Sequence, residues 1–294
     1  MLGGEISADV CVIGAGYTGL SAALALAEAG YKVVVLESNT AGYGASGRNG
    51  GQVCTGFSSG QGKIEAQLGK DDARKCFDIA EASKTLLKER LSTYDIDCDL
   101  TWGYLHAIPK PHQFDELKAW KDEYDALGYT DTSLLTKTEL EEKLGSRIYH
   151  GAFREGGAGH LHPLNYCLGL ARAALSKGAV IFENSRVISV ETGGNPVALT
   201  ANGVVRAKFM VIGGNAYLGS TVPSLQRKIM PVASYIIATE PLGENRTKAL
   251  IRDNEAVANT KFIVDYFRLT KDTRMLFGGR ASYSTLEQIG RAHV

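Results

Sequence analysis

The stretch Val10-Cys11-Val12-Ile13-Gly14-Ala15-Gly16-Tyr17-Thr18-Gly19-Leu20 decides the fold predicted for this chain of 294 residues. Its apolar run predicts a buried β-strand that leads directly into Gly-x-Gly-x-x-Gly. In such a corner Gly14 permits the tight turn, Gly16 lets the backbone approach a pyrophosphate, and Gly19 lets the helix pack closely on the strand. The helix then begins with unpaired N–H groups and a partial positive charge, which favours a phosphate ligand.

A helix and a second strand follow the corner at the spacing of a dinucleotide-binding unit. The apolar positions that recur with a helical period are Leu20, Ala23, Leu24 and Ala27. Residues 32–36 (Lys-Val-Val-Val-Leu) predict a second buried strand that ends at Glu37. An acidic residue about 20 positions after the glycines binds a ribose hydroxyl in such units. Because this carboxylate would repel a 2′-phosphate, the pattern favours NAD or FAD over an NADP-type ligand.

A glycine-rich loop comes next, over residues 42–52 (Gly-Tyr-Gly-Ala-Ser-Gly-Arg-Asn-Gly-Gly-Gln). The loop has too few apolar side chains to form part of a core, but its backbone N–H groups can line a polar or anionic ligand. The side chains of Ser46, Arg48 and Asn49 add hydrogen-bond donors. Since the loop leaves the strand that ends in the ribose-binding acid, we expect it to border the same ligand.

The loop sequence Gly-Ala-Ser-Gly-Arg-Asn-Gly-Gly-Gln resembles that of the D-amino-acid-oxidase-type flavoprotein superfamily, and within it the γ-glutamylputrescine oxidase branch. In that family the loop runs beside the FAD pyrophosphate and under the isoalloxazine ring. The resemblance therefore implies FAD rather than NAD. It also implies four FAD contacts in the loop, which are Ser46, Arg48, Asn49 and Gly51.

Two segments farther along the chain are expected to complete the FAD site. Residues 209–217 (Phe-Met-Val-Ile-Gly-Gly-Asn-Ala-Tyr) repeat the opening pattern of an apolar strand followed by small residues. Ligands bind at the carboxyl edge of such sheets, so Gly213 and Gly214 are predicted FAD neighbours. In the superfamily the residue that matches Val187 binds the adenine edge through its backbone, which makes Val187 a further cofactor-binding candidate by position.

The segment His160-Leu161-His162-Pro163 contains two histidines at a spacing that suggests a metal site. A third ligand at a suitable spacing is missing, so no metal is predicted. The glycine-rich approach and the proline at the start of a helix predict a turn here. The family has the same Gly-His-Leu-His-Pro stretch where the chain returns to the FAD domain near the flavin. By resemblance, His160 becomes a candidate catalytic residue.

Strand-like segments dominate the last part of the chain, after Pro223. Tyr266 and Arg268 alternate with Phe267, so their side chains share one face of a predicted strand. They have close counterparts in the γ-glutamylputrescine oxidase branch, which makes Tyr266 and Arg268 candidate catalytic residues on a sheet that would cover the flavin. Arg268 or Arg280 could bind a substrate carboxylate. The alternative is an ordinary sheet with outward polar side chains.

The predicted fold class is α/β, with a Rossmann-like FAD-binding domain and an interleaved antiparallel-sheet substrate domain. The FAD-binding domain is expected over residues 1–95 and 150–225, and the substrate domain over 96–149 and 226–288. The family continues well past the position of Val294, so we expect a truncated fragment. Residues 289–294 (Ile-Gly-Arg-Ala-His-Val) match a translated sequencing adapter, and we expect them to be a non-native tail.

Composition excludes several classes of protein. Lys plus Arg and Asp plus Glu both number 32, which argues against nucleic-acid and anionic-membrane partners. The 5 cysteines are scattered without a Cys-x-x-Cys motif, as is typical of a protein in a reducing cytoplasm. The apolar stretch over residues 10–30 is interrupted by glycines and lacks a basic flank, so neither a membrane span nor a signal peptide is predicted.

The resemblance implies an FAD-dependent amine oxidase. A neutral substrate amine, of the γ-glutamylputrescine kind, would lose a hydride to the flavin. The imine would hydrolyse to an aldehyde and an amine, and O2 would reoxidise the flavin and give H2O2. The alternatives are an oxidase or dehydrogenase of sarcosine, glycine or a D-amino acid, a non-catalytic nucleotide-binding fragment, and an NAD-linked dehydrogenase.

Overall fold

Two β-sheets and eight α-helices organise residues 1–282, which are the residues that the computed structural model describes. The elements of the first half are β1 (Gly4–Ile13), α1 (Tyr17–Glu28), β2 (Val33–Leu36), β3 (Gln52–Val53), α2 (Gln61–Leu68), α3 (Lys70–Thr93), β4 (Thr101–Ala107), α4 (Phe114–Ala126), β5 (Thr132–Thr136) and α5 (Lys137–Lys143). Those of the second half are β6 (Gly151–His160), α6 (Pro163–Ser176), β7 (Val180–Phe182), β8 (Val187–Glu191), β9 (Val197–Thr200), β10 (Gly203–Ile212), α7 (Pro223–Gln226), β11 (Ala233–Ala238), α8 (Glu244–Leu250), β12 (Ala256–Asn259), β13 (Tyr266–Leu269) and β14 (Met275–Ser282).

The first sheet has the strand order β7-β2-β1-β10-β9-β8. Strands β7, β2, β1 and β10 run parallel, whereas β9 and β8 continue the sheet as an antiparallel meander. The pairing of β1 with β10 ends at Ile13 opposite Ile212, so the two loops that follow these strands lie side by side. The predicted α/β fold class with a Rossmann-like unit is confirmed.

The apolar run predicted from the sequence forms the buried end of β1. Val10, Cys11, Val12 and Ile13 are all buried, because α1 and α6 cover one face of the sheet and the meander side chains cover the other. The predicted helical stripe of α1 is confirmed, since Leu20, Ala23, Leu24 and Ala27 are buried. Each buried leucine contributes about 2 kcal/mol to this core.

The second sheet has the order β11-β14-β13-β12-β4-β6-β3, and β5 also pairs with β6. The glycine-rich segment before His160 was predicted as a turn, and this prediction is wrong: it is the ten-residue strand β6, which pairs with β3, β4 and β5. The glycines have a packing reason. A Cβ at Gly159 would overlap the carbonyl oxygen of Thr101, and a Cβ at Gly157 would lie 2.7 Å from the hydroxyl of Tyr129.

The sheet pairings bear on the predicted domain limits. Strands β3 and β6 lie in the segments assigned to the FAD-binding domain, yet they pair within the second sheet. The apolar strand predicted from residue 209 is the second half of β10, which begins at Gly203. The boundaries themselves stay a prediction. The tail predicted at residues 289–294 lies outside the described residues. Among residues 1–282, no helix is both long and apolar enough to cross a membrane.

We predict that Gly19→Ala lowers the free energy of unfolding by about 3 kcal/mol, the cost typical of overpacking a rigid core. The added methyl group would overlap the carbonyl oxygen of Gly14, which is backbone and cannot rotate away. Urea unfolding measures the change. Gly62→Ala is the control, because its new Cβ in α2 meets nothing nearer than Glu123 Oε1 at 3.9 Å. Equal midpoints for the two variants would contradict the close packing of α1 on β1.

Candidate functional site

A cleft of about 260 Å³ lies at the carboxyl ends of β1, β2 and β10. The predicted cofactor-binding residues that line it are Gly14, Gly16, Glu37, Ser46, Val187, Gly213 and Gly214. Backbone hydrogen bonds connect the ends of the three strands: Gly14 N donates to Leu36 O, and Gly213 N donates to Ile13 O, both at 2.8 Å. The structure therefore brings these residues together, although they are spread over 200 positions of the sequence.

Glycine is required where the two loops meet. Gly14 has a φ of 100°, in the left-handed region that disfavours side chains. A Cβ at Gly14 would also lie 2.7 Å from the carbonyl oxygen of Gly213. The absence of both side chains brings two backbone segments into direct contact and leaves their polar groups at the surface of the cleft. Gly19 does not line the cleft; it lies behind the cleft, where α1 packs on β1.

The N-terminus of α1 faces the cleft with its partial positive charge. The first turn of α1 contains no acidic residue. Tyr17 N donates to Ser46 Oγ at 3.0 Å, and a Cβ at Gly16 would lie only 2.7 Å from the same hydroxyl oxygen. The hydroxyl of Ser46 therefore lies against the helix start, where both the amides and the macrodipole favour a negatively charged group.

Glu37 lies on the wall that follows β2. Its Oε2 accepts from Ala15 N at 2.8 Å, and its Oε1 accepts from Asn39 N at 2.9 Å and from Ser38 Oγ at 3.1 Å. These bonds hold the carboxylate at the cleft beside the glycine corner. A carboxylate has about four acceptor sites, so Glu37 retains capacity to accept a hydrogen bond from a sugar hydroxyl.

Several lining residues were not singled out by the sequence. Asn39, Tyr43, Arg186 and Tyr217 border the same cleft. Arg186 precedes Val187 at the start of β8 and brings a cation to a site that needs one for phosphate. The adjacency of Arg186 to the predicted adenine-side residue was the signal that could have identified it.

The other predicted loop residues lie outside the cleft lining and shape the loop. Asn49 Oδ1 accepts from Gly51 N at 2.7 Å, while its Nδ2 donates to the carbonyl oxygens of Ala45 and Ser46 at 3.0 Å. The guanidinium carbon of Arg48 lies 4.2 Å from the ring centroid of Tyr43. A Cβ at Gly51 would overlap the carbonyl oxygen of Leu161, so this loop lies directly against β6 and α6.

A second group of polar side chains gathers where this loop meets the second sheet. Gln52 pairs with His160 across β3 and β6, and Arg268 on β13 donates through Nε to Gly50 O. Arg268 is only 3% exposed and His160 only 2%. Each of the three side chains has one buried nitrogen without a hydrogen-bond partner among the described residues: Gln52 Nε2, His160 Nδ1 and Arg268 Nη2. Such groups are rare in folded proteins, which marks this place as a candidate ligand contact.

Burial controls the charge of two members of this group. Burial lowers the pKa of His160 to about 4, although a hydrogen bond from its Nε2 to Asn254 O at 2.8 Å opposes the change, and the positive charge of Arg268 adds to the lowering. His160 is therefore neutral at pH 7. Because Nε2 must donate to the carbonyl, Nδ1 is the free acceptor. Burial also lowers the pKa of Arg268 to about 10, so its guanidinium remains charged.

Tyr266 and Arg268 lie as predicted on one strand, β13, and both lie near the loop. A Cβ at Gly50 would lie 2.7 Å from the ring of Tyr266, and Arg268 bonds to the carbonyl of the same residue. Arg280 on β14 is exposed. No cluster of three or more His, Cys, Asp and Glu side chains suited to a metal ion occurs within residues 1–282.

The residues present fit the adenine dinucleotide predicted from the sequence. The helix start and Ser46 suit the diphosphate, and the carboxylate of Glu37 suits a ribose hydroxyl. The glycine-built wall also fits, because Gly14 and Gly16 present backbone rather than side chains at the surface of the cleft. The cleft is therefore the candidate FAD site of this chain.

Comparison with known proteins identifies the family of this chain. The family model described as FAD dependent oxidoreductase matches residues 9–293. The chain is 40% identical over 280 residues to gamma-glutamylputrescine oxidoreductase of Escherichia coli. This alignment covers 95% of this chain and 66% of that protein. It is 42% identical over 281 residues to a Haemophilus influenzae protein named "Probable oxidoreductase OrdL", covering 94% of this chain and 65% of that protein. The chain thus spans about two thirds of the length of these relatives.

Solved structures show the same fold at lower sequence identity. Glycine oxidase from Geobacillus kaustophilus superposes with a TM-score of 0.72 at 22% identity, over 94% of this chain and 72% of that chain. L-proline dehydrogenase from P. horikoshii gives a TM-score of 0.74 at 20% identity, over 94% and 70% of the two chains. The resemblance stated from the glycine-rich loop is confirmed.

We predict that His160 makes the protein less stable as the pH falls from about 6.5 to about 4. The unfolded chain binds a proton at this side chain near pH 6.5, whereas the folded chain does so only near pH 4, so the stability is fully present above pH 6.5 and is lost below it. The maximal loss is about 3 kcal/mol.

Urea unfolding between pH 4 and pH 7 measures this dependence. His160→Gln keeps a donor for the carbonyl of Asn254 and removes the titrating group, so its stability should fall less on acidification. His112→Gln, at an exposed position, is the control. If His160→Gln and the parent chain lost the same stability, the folded state would have to accept the proton at His160, and the neutral-imidazole assignment would be wrong.

Proposed function

Since the chain belongs to the family of FAD dependent oxidoreductases, we propose that its protein oxidises a primary amine of the γ-glutamylputrescine class. The observation that carries the proposal is the cleft at the start of α1, where a backbone-lined glycine wall faces the carboxylate of Glu37. The E. coli relative that shares this segment is named for γ-glutamylputrescine, and that name supports the choice of substrate.

Different residues of the cleft would bind different parts of FAD. Ser46, the α1 amides and Arg186 would hold the diphosphate, while Glu37 would hold a ribose hydroxyl. The backbone of Val187 would face the adenine, and Gly213 and Gly214 would allow the cofactor to lie close to the sheet edge. The loop that carries Asn49 and Gly51 would lead from this cleft to the second sheet.

Bound FAD would supply the hydride acceptor, with O2 as the final electron acceptor and H2O2 as its product. The net reaction converts a primary amine, O2 and water into an aldehyde, ammonia and H2O2. The chain's own residues act on the amine. The fixed positive charge of Arg268 disfavours a protonated amine nearby, so it favours the neutral form that can lose a hydride. Neutral His160 offers Nδ1 as an acceptor for an amine N–H.

One observation favours a second candidate, an oxidase or dehydrogenase of glycine, sarcosine or a D-amino acid. Arg268 is buried, charged and has an Nη2 nitrogen without a partner within residues 1–282. A buried guanidinium of this kind is suited to bind a substrate carboxylate. For either substrate we place the reaction in the cytoplasm, because the cysteines within residues 1–282 are unpaired. We propose no nucleic-acid or membrane partner, because the positive and negative charges of the chain balance.

We predict that the purified chain takes up FAD and that Glu37→Gln weakens this binding about tenfold, the loss expected for one charge-assisted hydrogen bond. Titration with FAD, followed by flavin fluorescence, gives the Kd. Glu65→Gln, at an exposed position on α2, is the control. A chain that takes up no FAD would support the alternative of a non-catalytic fragment. Equal Kd values for the Glu37→Gln and parent chains would remove Glu37 from the site.

We predict that the FAD-loaded chain releases H2O2 with γ-glutamylputrescine at a kcat/KM at least 100-fold above that with glycine, sarcosine or D-alanine. The reason is that the proposed substrate class carries its amine on a long apolar chain, which α-amino acids lack. A peroxide assay with the four substrates under identical conditions measures the order. A higher kcat/KM with any of the three amino acids would favour the second candidate.

A further inference from the structure

A second cavity, of about 600 Å³, lies on the second sheet away from the dinucleotide cleft. Helix α4, strand β4 and the connection between β12 and β13 form its walls. The lining residues that matter here are Tyr104, His106, Glu116, Trp120, Ala258 and Lys261. The sequence singled out none of these residues, and none of them belongs to the FAD cleft.

The cavity adjoins Tyr266, a residue predicted to lie on the sheet that covers the flavin. Tyr104 and Ala258 line it, and both belong to the small cluster against which Tyr266 packs. Tyr266 in turn lies beside Gly50, in the loop that carries Gln52. A ligand could therefore extend from the group formed by Gln52, His160 and Arg268, along the face of the sheet, into this cavity.

An aromatic wall suits an apolar chain. The ring centroids of Tyr104 and His106 lie 4.6 Å apart, and those of His106 and Trp120 lie 5.3 Å apart. A hydrogen bond of 2.7 Å joins His106 Nε2 to Oε1 of Glu155, which is only 3% exposed. This bond fixes the orientation of the His106 ring. Trp120 remains 42% exposed, so its indole has surface left to cover. Aromatic surfaces of this size bind methylene chains through burial of apolar area.

Opposite charges stand on facing elements of the cavity. Glu116, in the first turn of α4, has no hydrogen-bond or ion-pair partner in the part of the chain that the structure describes. Lys261 follows β12, and its Nζ lies 2.8 Å from Asp265 Oδ2, which leaves two of the three ammonium hydrogens for other acceptors. Asp265 offsets part of the charge of Lys261, but an acid that is unpaired within residues 1–282, opposite a lysine with two free ammonium hydrogens, still suits a zwitterion better than a simple anion.

We propose that this cavity binds the α-amino-acid head group of a γ-glutamyl amine, with Glu116 on its ammonium group and Lys261 on its carboxylate. The proposal rests on the proposed oxidase function and names the part of the chain that selects the substrate. The γ-glutamyl group is the feature that distinguishes this substrate from a simple diamine, and it is the only zwitterionic part of it. The aromatic wall then contacts the methylene chain that leads back to the reacting amine.

The length of the substrate agrees with this placement. Eight bonds separate the reacting carbon from the α-carbon of the glutamyl group, which is about 10 Å in an extended chain. Thr101, which pairs with His160, lies three residues before Tyr104 on β4, across a register shift, so their Cα atoms are at most about 11 Å apart. The cavity that Tyr104 borders therefore lies within reach of a head group whose amine lies beside His160.

The test compares two ligands that carry the same reacting amine and the same amide. γ-Glutamylputrescine has the zwitterionic head group, whereas N-acetylputrescine replaces it with a methyl group. Each is titrated into the FAD-loaded chain without O2, and also into the chain without FAD, and tryptophan fluorescence reports occupancy next to Trp120. We expect γ-glutamylputrescine to bind at least tenfold tighter than N-acetylputrescine, and we expect the signal to disappear in Trp120→Phe.

Charge variants assign the head-group contacts. Glu116→Gln and Lys261→Met should each weaken γ-glutamylputrescine binding roughly fivefold, the upper range for exposed ion pairs, and should leave N-acetylputrescine binding unchanged. Asp115→Asn, one residue away on α4 and outside the cavity lining, is the control and should change neither.

The outcomes separate this inference from the proposed function. Equal affinity for the two ligands, or an equal effect of Glu116→Gln on both, overturns the head-group site even if peroxide release from γ-glutamylputrescine is fast. Selective binding that depends on Glu116, in a chain that releases no peroxide, supports the head-group site and rejects the oxidase. Absence of any binding at millimolar γ-glutamylputrescine overturns the head-group site.

Discussion

The close contact of backbone with backbone at the carboxyl end of β1 is the constraint on which the rest of the structure depends. Gly14 meets the carbonyl of Gly213, and Gly19 lies directly over the carbonyl of Gly14. These contacts fix the distance between β1, β10 and α1, and they determine where the N-terminus of the helix points. A cleft made in this way suits the shape and charge of a diphosphate, because backbone amides and a helix start border it.

The second constraint is the burial of polar groups between the loop and the second sheet. Each unsatisfied buried group costs about 1–3 kcal/mol, so the three nitrogens of Gln52, His160 and Arg268 together oppose folding. Part of this cost is offset where the side chains also bond to backbone, as Arg268 does to Gly50. A ligand that completed these hydrogen bonds would remove the remaining cost. All three side chains lie on strands of the second sheet, beside the loop that carries Gly50.

The parts of the fold that were predictable from the sequence are those with a local signal. The β1–α1–β2 unit has an apolar period and glycines at fixed spacing, so its strands, helix and acid were all found. Strand β6 was missed because its glycines serve contacts with Thr101 and Tyr129, and a local pattern cannot distinguish such glycines from those of a turn. The bond between Arg268 and Gly50 joins residues 218 positions apart, and the cavity beside α4 depends on elements with no shared motif. Neither has a signature in the sequence.

The two sites differ in how they are built, and this difference supports the proposed place of substrate selection. The cleft of the first sheet is formed largely by backbone and small residues, so it can persist while side chains elsewhere change. The cavity of the second sheet is formed by side chains such as Glu116 and Trp120, which are both exposed on one helix and can therefore be exchanged without disturbing the pairing of strands. A single fold can thus keep one cofactor and change its substrate through a few positions on α4 and the β12–β13 connection. It follows that the residues that select the substrate should be sought among exposed side chains of the second sheet and its covering helix, and not among the glycines that identify the family.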